Sequence, residues 1–201
     1  LGRLFRLSIK RGSRNSDRTP WMWEVGMFVH ILGHNIDILR WFLEDEVEHV
    51  FAESDSYMRR RSGEDDNICA ILRFRNGALG VMEDSWTLSP SMPMEENDTR
   101  MDLIGDKGNL SFNGLNQMLS LYNTNGVFYP GLLRWPGGLT EESGLESYAL
   151  KDECLHFIRC VENPGTAPIS TVDSALENLR VALACRLSAR EGRIVHLSEI
   201  R

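Results

Sequence analysis

Apolar and polar residues alternate along several short segments of this chain, and a period of two is typical of β-strands with one buried face. The clearest case is NICAILRFRNG, residues 67–77, where Ile68, Ala70, Leu72 and Phe74 share one face. Asn76-Gly77 at its end predicts a hairpin into the next strand, because both residues tolerate positive φ. The other predicted strands lie in LGRLFRLSIK at the start of the chain and in VEHVFAESDSYM, ALGVMEDSWTL, TRMDLIG, NLSFN and QMLSLYN.

A period close to 3.6 predicts helices in three segments. The first runs from about Met27 to Leu43, and the other two close the chain. One closing helix carries a stripe of Leu150, Cys154, Phe157 and Val161. The last helix begins at Ser170 or Thr171, ends at Gly192 and carries Val172, Leu176, Leu179, Leu183 and Leu187 on one stripe.

The order of these elements is a strand, a helix, a run of antiparallel strands and then two helices. Such segregation predicts an α+β fold, in which an open, predominantly antiparallel β-sheet carries its helices on one face. We expect a single domain over residues 1–201, since a chain of this length can bury a sizeable core. The other face of the sheet then needs cover from a partner or from another domain.

Composition and charge narrow the possible partners. The net charge of −7, without a basic cluster to offset it, argues against nucleic-acid binding. No apolar run approaches the ~20 residues needed to span a bilayer, so no membrane partner is expected. The four cysteines lie inside periodic segments rather than at the spacing of a disulfide scaffold, which favours reduced thiols and a cytoplasmic location.

The first predicted helix carries polar residues on a face of its own. At about 100° per residue, the members of an arc of roughly 60° are His30, His34, Asp37 and Trp41. The apolar stripe of this helix is complete without the histidines. Imidazole has a reference pKa of ~6.5 and exchanges protons near neutrality, and Asp37 is close enough along the helix to orient the His34 ring. The arrangement therefore predicts acid–base chemistry.

Two other interpretations of these residues stay open. Histidines on a helix are often satisfied within a core. Alternatively, the spacing of His30 and His34 suits two imidazoles on one zinc ion, and His156 and Cys160 repeat that spacing. No HExxH glutamate is present, so we expect no metal.

The polar helix also begins a series of motifs. Gly26, His34 eight residues later and the run HNIDILRW resemble the glycine-to-HxxD-to-Trp signature of the Gfo/Idh/MocA oxidoreductases, which include glucose–fructose oxidoreductase and inositol dehydrogenases. LRFRNGALGVMEDSW resembles the hairpin of that family, and LIGDKGNLSF resembles its Gly-x-x-Gly strand connection. Residues 154–197 are similar to its closing helix pair. The resemblance covers nearly the whole chain in the same order.

The resemblance implies that this chain is the second, substrate-side domain of a two-domain enzyme, with a nucleotide-binding Rossmann domain before it. A start at Leu1 without methionine, and the lack of a Gly-x-Gly-x-x-Gly motif after a strand, agree with this expectation. The implied reaction is hydride transfer between NAD or NADP, held mainly by the first domain, and a carbon bearing a hydroxyl group of a sugar, polyol or sugar derivative. The chain alone should be inactive and should form a homodimer or homotetramer through the open sheet face. The alternative is a non-catalytic oligomerisation or ligand-binding module.

The resemblance also assigns the site residues. His34 matches the family's catalytic histidine, which exchanges a proton with the substrate hydroxyl. Asp37 matches the HxxD aspartate, and we expect it to bind substrate or support the site rather than to carry a proton. His30 stands where many members have an acidic residue, and we expect it to contact substrate. A charged imidazole there would oppose protonation of His34, so the substrate or the chemistry is expected to differ from that of a typical member.

Overall fold

A computed structural model describes residues 1–14, 20–58, 64–91, 98–114, 118–128 and 149–200. The described strands are β1 (Leu4–Arg14), β2 (Val47–Asp55), β3 (Asn67–Phe74), β4 (Leu79–Leu88), β5 (Asp98–Gly105), β6 (Gly108–Asn113), β7 (Met118–Asn123), β8 (Gly126–Phe128) and β9 (Val195–His196). The described helices are α1 (Pro20–Val25), α2 (Met27–His30), α3 (Leu32–Leu43), α4 (Ala149–Glu162) and α5 (Val172–Glu191), followed by a short 3₁₀ helix at Leu197–Glu199.

The described strands form one open sheet in the order β8-β7-β6-β5-β1-β4-β3-β2-β9. All of their pairings are antiparallel except that of β1 with β4, which is parallel. The predicted α+β architecture, a predominantly antiparallel open sheet, is therefore confirmed. The parallel pair places β1, the first strand of the chain, in the middle of the sheet.

Helices α2, α3 and α5 pack on the half of the sheet formed by β1 to β4. Burial alternates along β3 as the sequence predicts: Ile68, Ala70, Leu72 and Phe74 face the helices. Cys69 and Ile71 lie on the opposite side, which we call the outer face. Burying one large apolar side chain contributes roughly 1.5–3 kcal/mol, so this pattern fixes which face of the sheet meets the helices.

The polar helix predicted as one element from Met27 to Leu43 is divided at Ile31 into α2 and α3. The backbone N–H of His34 donates to the carbonyl of Ile31 at 3.2 Å, a tighter i to i−3 turn that separates the two helices. Helix α1, which was not predicted, precedes α2. Gly26 between α1 and α2 has a φ of +78°, a conformation that glycine adopts without a Cβ clash.

Helix α5 begins and ends where the sequence predicts. Thr171 caps it by accepting the backbone N–H of Ser174 at 3.1 Å, and Gly192 ends it with a φ of +62°. Its buried residues, however, are Val181, Ala182, Ala184, Cys185 and Ser188 rather than the predicted leucine stripe. Small side chains let α5 approach β2 closely, where the Ser188 hydroxyl accepts the backbone N–H of Ala52 at 3.0 Å.

Three members of the predicted α4 stripe, Cys154, Phe157 and Val161, are exposed, and so is the predicted stripe in the first turns of α5, whereas the side chain of Leu150 lies outside the described part of the chain. Phe157 and Val161 on α4 are 68% and 67% accessible, and Val172 on α5 is 85% accessible. Within the described ranges, no helix is long and apolar enough to cross a membrane.

Candidate active site

A cleft of about 380 Å³ opens where the end of β1, the first turns of α3 and the start of α5 converge. This volume lies near the lower end of the range for small-molecule sites. Its lining residues are Arg11, Gly33, His34, Asp37, Ile38, Ser170 and Asn178. Of the three predicted site residues, the structure brings His34 and Asp37 together in this cleft.

His34 lies in the first turn of α3 and is accessible to solvent. Protein atoms packed around the ring lower the pKa of His34 below its ordinary value, and the positive charge of Arg11 lowers this pKa further. The negative charge of Asp37 raises the pKa of His34, but it is the weakest of the three influences. His34 is therefore a neutral imidazole at pH 7, able to accept a proton from a hydroxyl group in the cleft.

Asp37 is held in place from the neighbouring helix. One of its carboxylate oxygens accepts a hydrogen bond of 2.8 Å from the side-chain amide of Asn178 on α5. The Asn178 carbonyl oxygen accepts a hydrogen bond of 2.7 Å from Arg40, which also forms a bidentate ion pair with Glu46. This chain of contacts joins α3 to α5, and it gives Asp37 a fixed orientation at the wall of the cleft.

His30 lies among aromatic side chains and is not among the lining residues of the cleft. Its ring contacts Trp21 edge-on, with centroids 5.1 Å apart, and Trp86 at a centroid distance of 6.0 Å. The division of the helix at Ile31 separates the element that carries His30 from the element that carries His34. The predicted contact of His30 with substrate stays a prediction.

Arg11 lines the cleft and Asp84 is buried beside it, although the sequence offered no signal for either. The parallel register of β1 and β4 places the two residues side by side. Asp84 is almost completely buried, and both of its carboxylate oxygens accept from the Asn35 amide, at 3.0 and 2.9 Å. Burial raises the pKa of Asp84 to about 7, although Arg11 and Asn35 both act to lower it.

The two pairs of the alternative zinc interpretation, His30 with His34 and His156 with Cys160, do not converge within the described residues. In the part of the chain that the structure describes, no group of three or more His, Cys, Asp or Glu side chains is placed to hold a metal ion. His156 instead accepts the backbone N–H of Ile169 at 3.1 Å through Nε2, and the same nitrogen lies 3.5 Å from the Cys160 sulfur. These contacts tie the end of α4 to the loop before α5.

The fold and the cleft can now be compared with known proteins. The chain belongs to the oxidoreductase family, C-terminal alpha/beta domain, whose family model matches residues 3–197. This confirms the resemblance to the Gfo/Idh/MocA oxidoreductases.

Three relatives show the range of this similarity. The chain is 25% identical over 190 residues to a myo-inositol 2-dehydrogenase of Thermotoga maritima, covering 87% of this chain and 50% of that protein. It is 30% identical over 176 residues to a scyllo-inositol 2-dehydrogenase (NAD(+)) of Bacillus subtilis, covering 86% of this chain and 48% of that protein. The solved UDP-N-acetylglucosamine 3-dehydrogenase of Acidithiobacillus ferrooxidans shares the fold, with a TM-score of 0.73 at 16% identity over 94% of this chain and 55% of that one. The chain thus spans about half the length of the curated relatives it matches.

Proposed function

We propose that this chain is the substrate domain of an NAD(P)-dependent oxidoreductase that acts on a CH–OH group of a sugar, polyol or sugar derivative. The observation that carries the proposal is the position of His34, whose imidazole lines a cleft of hydrogen-bonding side chains together with Asp37. The matching family and the dehydrogenases among its relatives support the same class of reaction.

In the oxidation direction, His34 accepts the proton of the substrate hydroxyl, and the carbon loses a hydride as its C–O bond becomes a carbonyl. In the reverse direction, the imidazolium returns that proton to the oxygen. Asp37, oriented by Asn178, and Ser170 line the cleft wall, and we assign to them the binding of further hydroxyl groups of the substrate. Fixing these hydroxyls orients the reacting carbon toward His34.

The nicotinamide cofactor supplies the hydride chemistry when it is bound. The described residues do not fit the dinucleotide, because their one parallel strand pair, β1 with β4, is not joined by a single crossover helix with a glycine-rich first turn. We therefore assign the cofactor mainly to the part of the relatives that this chain does not span. We expect the residues of that part to determine whether the enzyme uses NAD or NADP.

The test is His34→Ala in the two-domain enzyme that contains this chain. Loss of a positioned proton acceptor should lower kcat by about 10²–10⁴-fold, and the fall of activity on acidification should disappear with the imidazole. His196→Asn is a matched control, because His196 is exposed on β9, in a different part of the sheet, and asparagine can also cap a helix start. An unchanged kcat in His34→Ala would exclude the assigned role.

We also propose that the outer face mediates self-association. Ile71 is 51% accessible there, and the strand register places Val81 and Phe51 on either side of it, so an apolar row crosses β4, β3 and β2. Charged residues border the row, among them the Lys10–Glu83 ion pair at 3.4 Å. An apolar strip with a charged border is typical of a protein–protein interface.

A further inference from the structure

We propose that Arg11 is an anion-binding residue, and that it selects sugars or polyols that carry a carboxylate group. This inference rests on the proposed function, since it names the class of substrate for the same cleft. It depends on three observations: the free donors of Arg11, the arrangement of the carboxylates around it, and the charge balance of the cleft wall.

The Arg11 guanidinium lines the cleft, and no described side chain or backbone group accepts a hydrogen bond from it. Its Nε has no hydrogen-bond partner among the described residues but is inaccessible to solvent, so a ligand in the cleft would bind the terminal nitrogens of the guanidinium. Arg40 provides the contrast, because its guanidinium nitrogens bind Glu46, Ser174 and Asn178. Burying half of a guanidinium without hydrogen-bond acceptors raises the free energy of the folded chain. A ligand oxygen that accepts from the guanidinium would offset part of that rise.

The nearest carboxylate does not occupy the Arg11 fork. Asp84 is the register neighbour of Arg11 and attracts it through space, but its oxygens lie beyond ion-pair distance and are bound by the Asn35 amide instead. Asp37, the other carboxylate at the cleft, is bound by Asn178. Neither of these two described carboxylates accepts a hydrogen bond from Arg11, and we assign its guanidinium to a third carboxylate, one that belongs to the ligand.

The charge balance of the wall favours a carboxylate over a phosphate. Among the described lining residues, Arg11 is the one permanent cation, and Asp37 is the one carboxylate. Arg11 and Asp37 balance each other, so a carboxylate leaves one excess negative charge in the cleft, whereas a phosphate dianion leaves two and is repelled more strongly by Asp37. The planar fork of arginine also fits a carboxylate through two parallel N–H···O bonds.

The test compares hexuronates with the corresponding neutral hexoses, which differ only in a carboxylate in place of a hydroxymethyl group. Binding to the two-domain enzyme is measured by calorimetry, and turnover is measured with the same pairs. We expect the enzyme to bind at least one hexuronate about 10–100-fold more tightly than its hexose, in line with a charge-assisted pair. Arg11→Met should lower the affinity for the hexuronate far more than the affinity for the hexose, so that the preference is lost. Arg11→Lys, which keeps the charge and loses the fork, should retain part of the preference.

Lys10→Met is the matched control, because it also removes one positive charge from β1 but on the outer face, where Lys10 pairs with Glu83. It should leave the preference intact. Equal affinity of the enzyme for both members of every pair would overturn the proposal. An equal effect of Arg11→Met on the affinity for hexuronate and hexose would also overturn it, because Arg11 would then act only through its effect on His34. Calorimetry on His34→Ala separates the two proposals. A variant that still prefers hexuronate over hexose supports anion binding by Arg11, independently of whether His34 takes part in hydride transfer.

Discussion

The burial of Asp84 makes a prediction about stability that needs no knowledge of the substrate. Its pKa is about 7 in the folded chain against 3.8 for the free side chain, a rise caused mainly by burial. A group whose pKa is higher in the folded state binds more protons there than in the unfolded state. Its contribution to stability is therefore largest at low pH, and it is lost as the pH rises through the folded-state pKa.

The size of this effect follows from the shift. A difference of roughly 3 pKa units at about 1.4 kcal/mol each corresponds to about 4 kcal/mol lost between pH 4 and pH 7. Asp84→Asn keeps the shape of the side chain and its contact with Asn35 but does not titrate. Between pH 5.5 and 8.5, the free energy of unfolding of the wild type should therefore fall by about 2 kcal/mol relative to Asp84→Asn.

The assay is urea unfolding of the two proteins at matched concentration across this pH range. At a slope of about 2 kcal/mol per molar urea, the difference between their midpoints should move by about 1 M. The titration of His34 has the opposite sign, because its pKa is lowered by folding, but it is common to both proteins and largely cancels. Asp102→Asn, at an exposed carboxylate on β5, is the control and should follow the wild type.

Two results would refute the reasoning. A difference between wild type and Asp84→Asn that stays within about 0.5 kcal/mol over the whole range would mean that Asp84 is not desolvated in the folded chain. A difference of the opposite sign, with the wild type gaining stability as the pH rises, would mean that Arg11 and Asp84 form a true ion pair. That second result would also remove the free guanidinium on which the proposed carboxylate selectivity depends.

Two further predictions concern the surroundings of the cleft and the outer face. Asn178→Ala removes the side-chain amide that binds both Asp37 and Arg40. It should lower the free energy of unfolding by about 1–2 kcal/mol in the same urea assay. An unchanged free energy would show that the α3–α5 contact does not depend on this amide. Ile71→Lys places a charge in the apolar row of the outer face and should shift the protein toward monomer in light scattering at micromolar concentration. Wild-type protein that is itself monomeric under those conditions would rule out self-association through this face.

The elements that the sequence predicted well depend on contacts within a few residues. The alternation from Ile68 to Phe74, the cap at Thr171 and the stop at Gly192 are local features, and all three are present in the structure. The hairpin after β3 also forms, with a φ of +88° at Gly77, although four residues rather than two separate the strands. Such signals need no information about the rest of the chain.

The packing of α5 could not be predicted in this way. Hydrophobicity marks Val172, Leu176 and Leu179 as the face to bury, but in the structure the small residues from Val181 to Ser188 meet β2. Close approach of a helix to a sheet depends on backbone distance as well as on side-chain apolarity. The Ser188 hydroxyl, polar and buried, is the clearest case, because its partner Ala52 lies on a strand far away in the sequence.

In the candidate site, too, some residues follow from local sequence features and others depend on contacts that are distant in the sequence. His34 and Asp37 are three residues apart on a helix, and their shared face follows from the sequence alone. A local argument from this pair would expect the carboxylate to raise the pKa of the imidazole. The structure reverses that sign, because burial and the charge of Arg11 outweigh Asp37. Arg11 reaches this position only because β1 runs parallel to β4 in the centre of the sheet, beside Asp84. One long-range strand pairing therefore adds to the effect of burial on the pKa of the proposed base, and it also sets the positive charge that a substrate would meet.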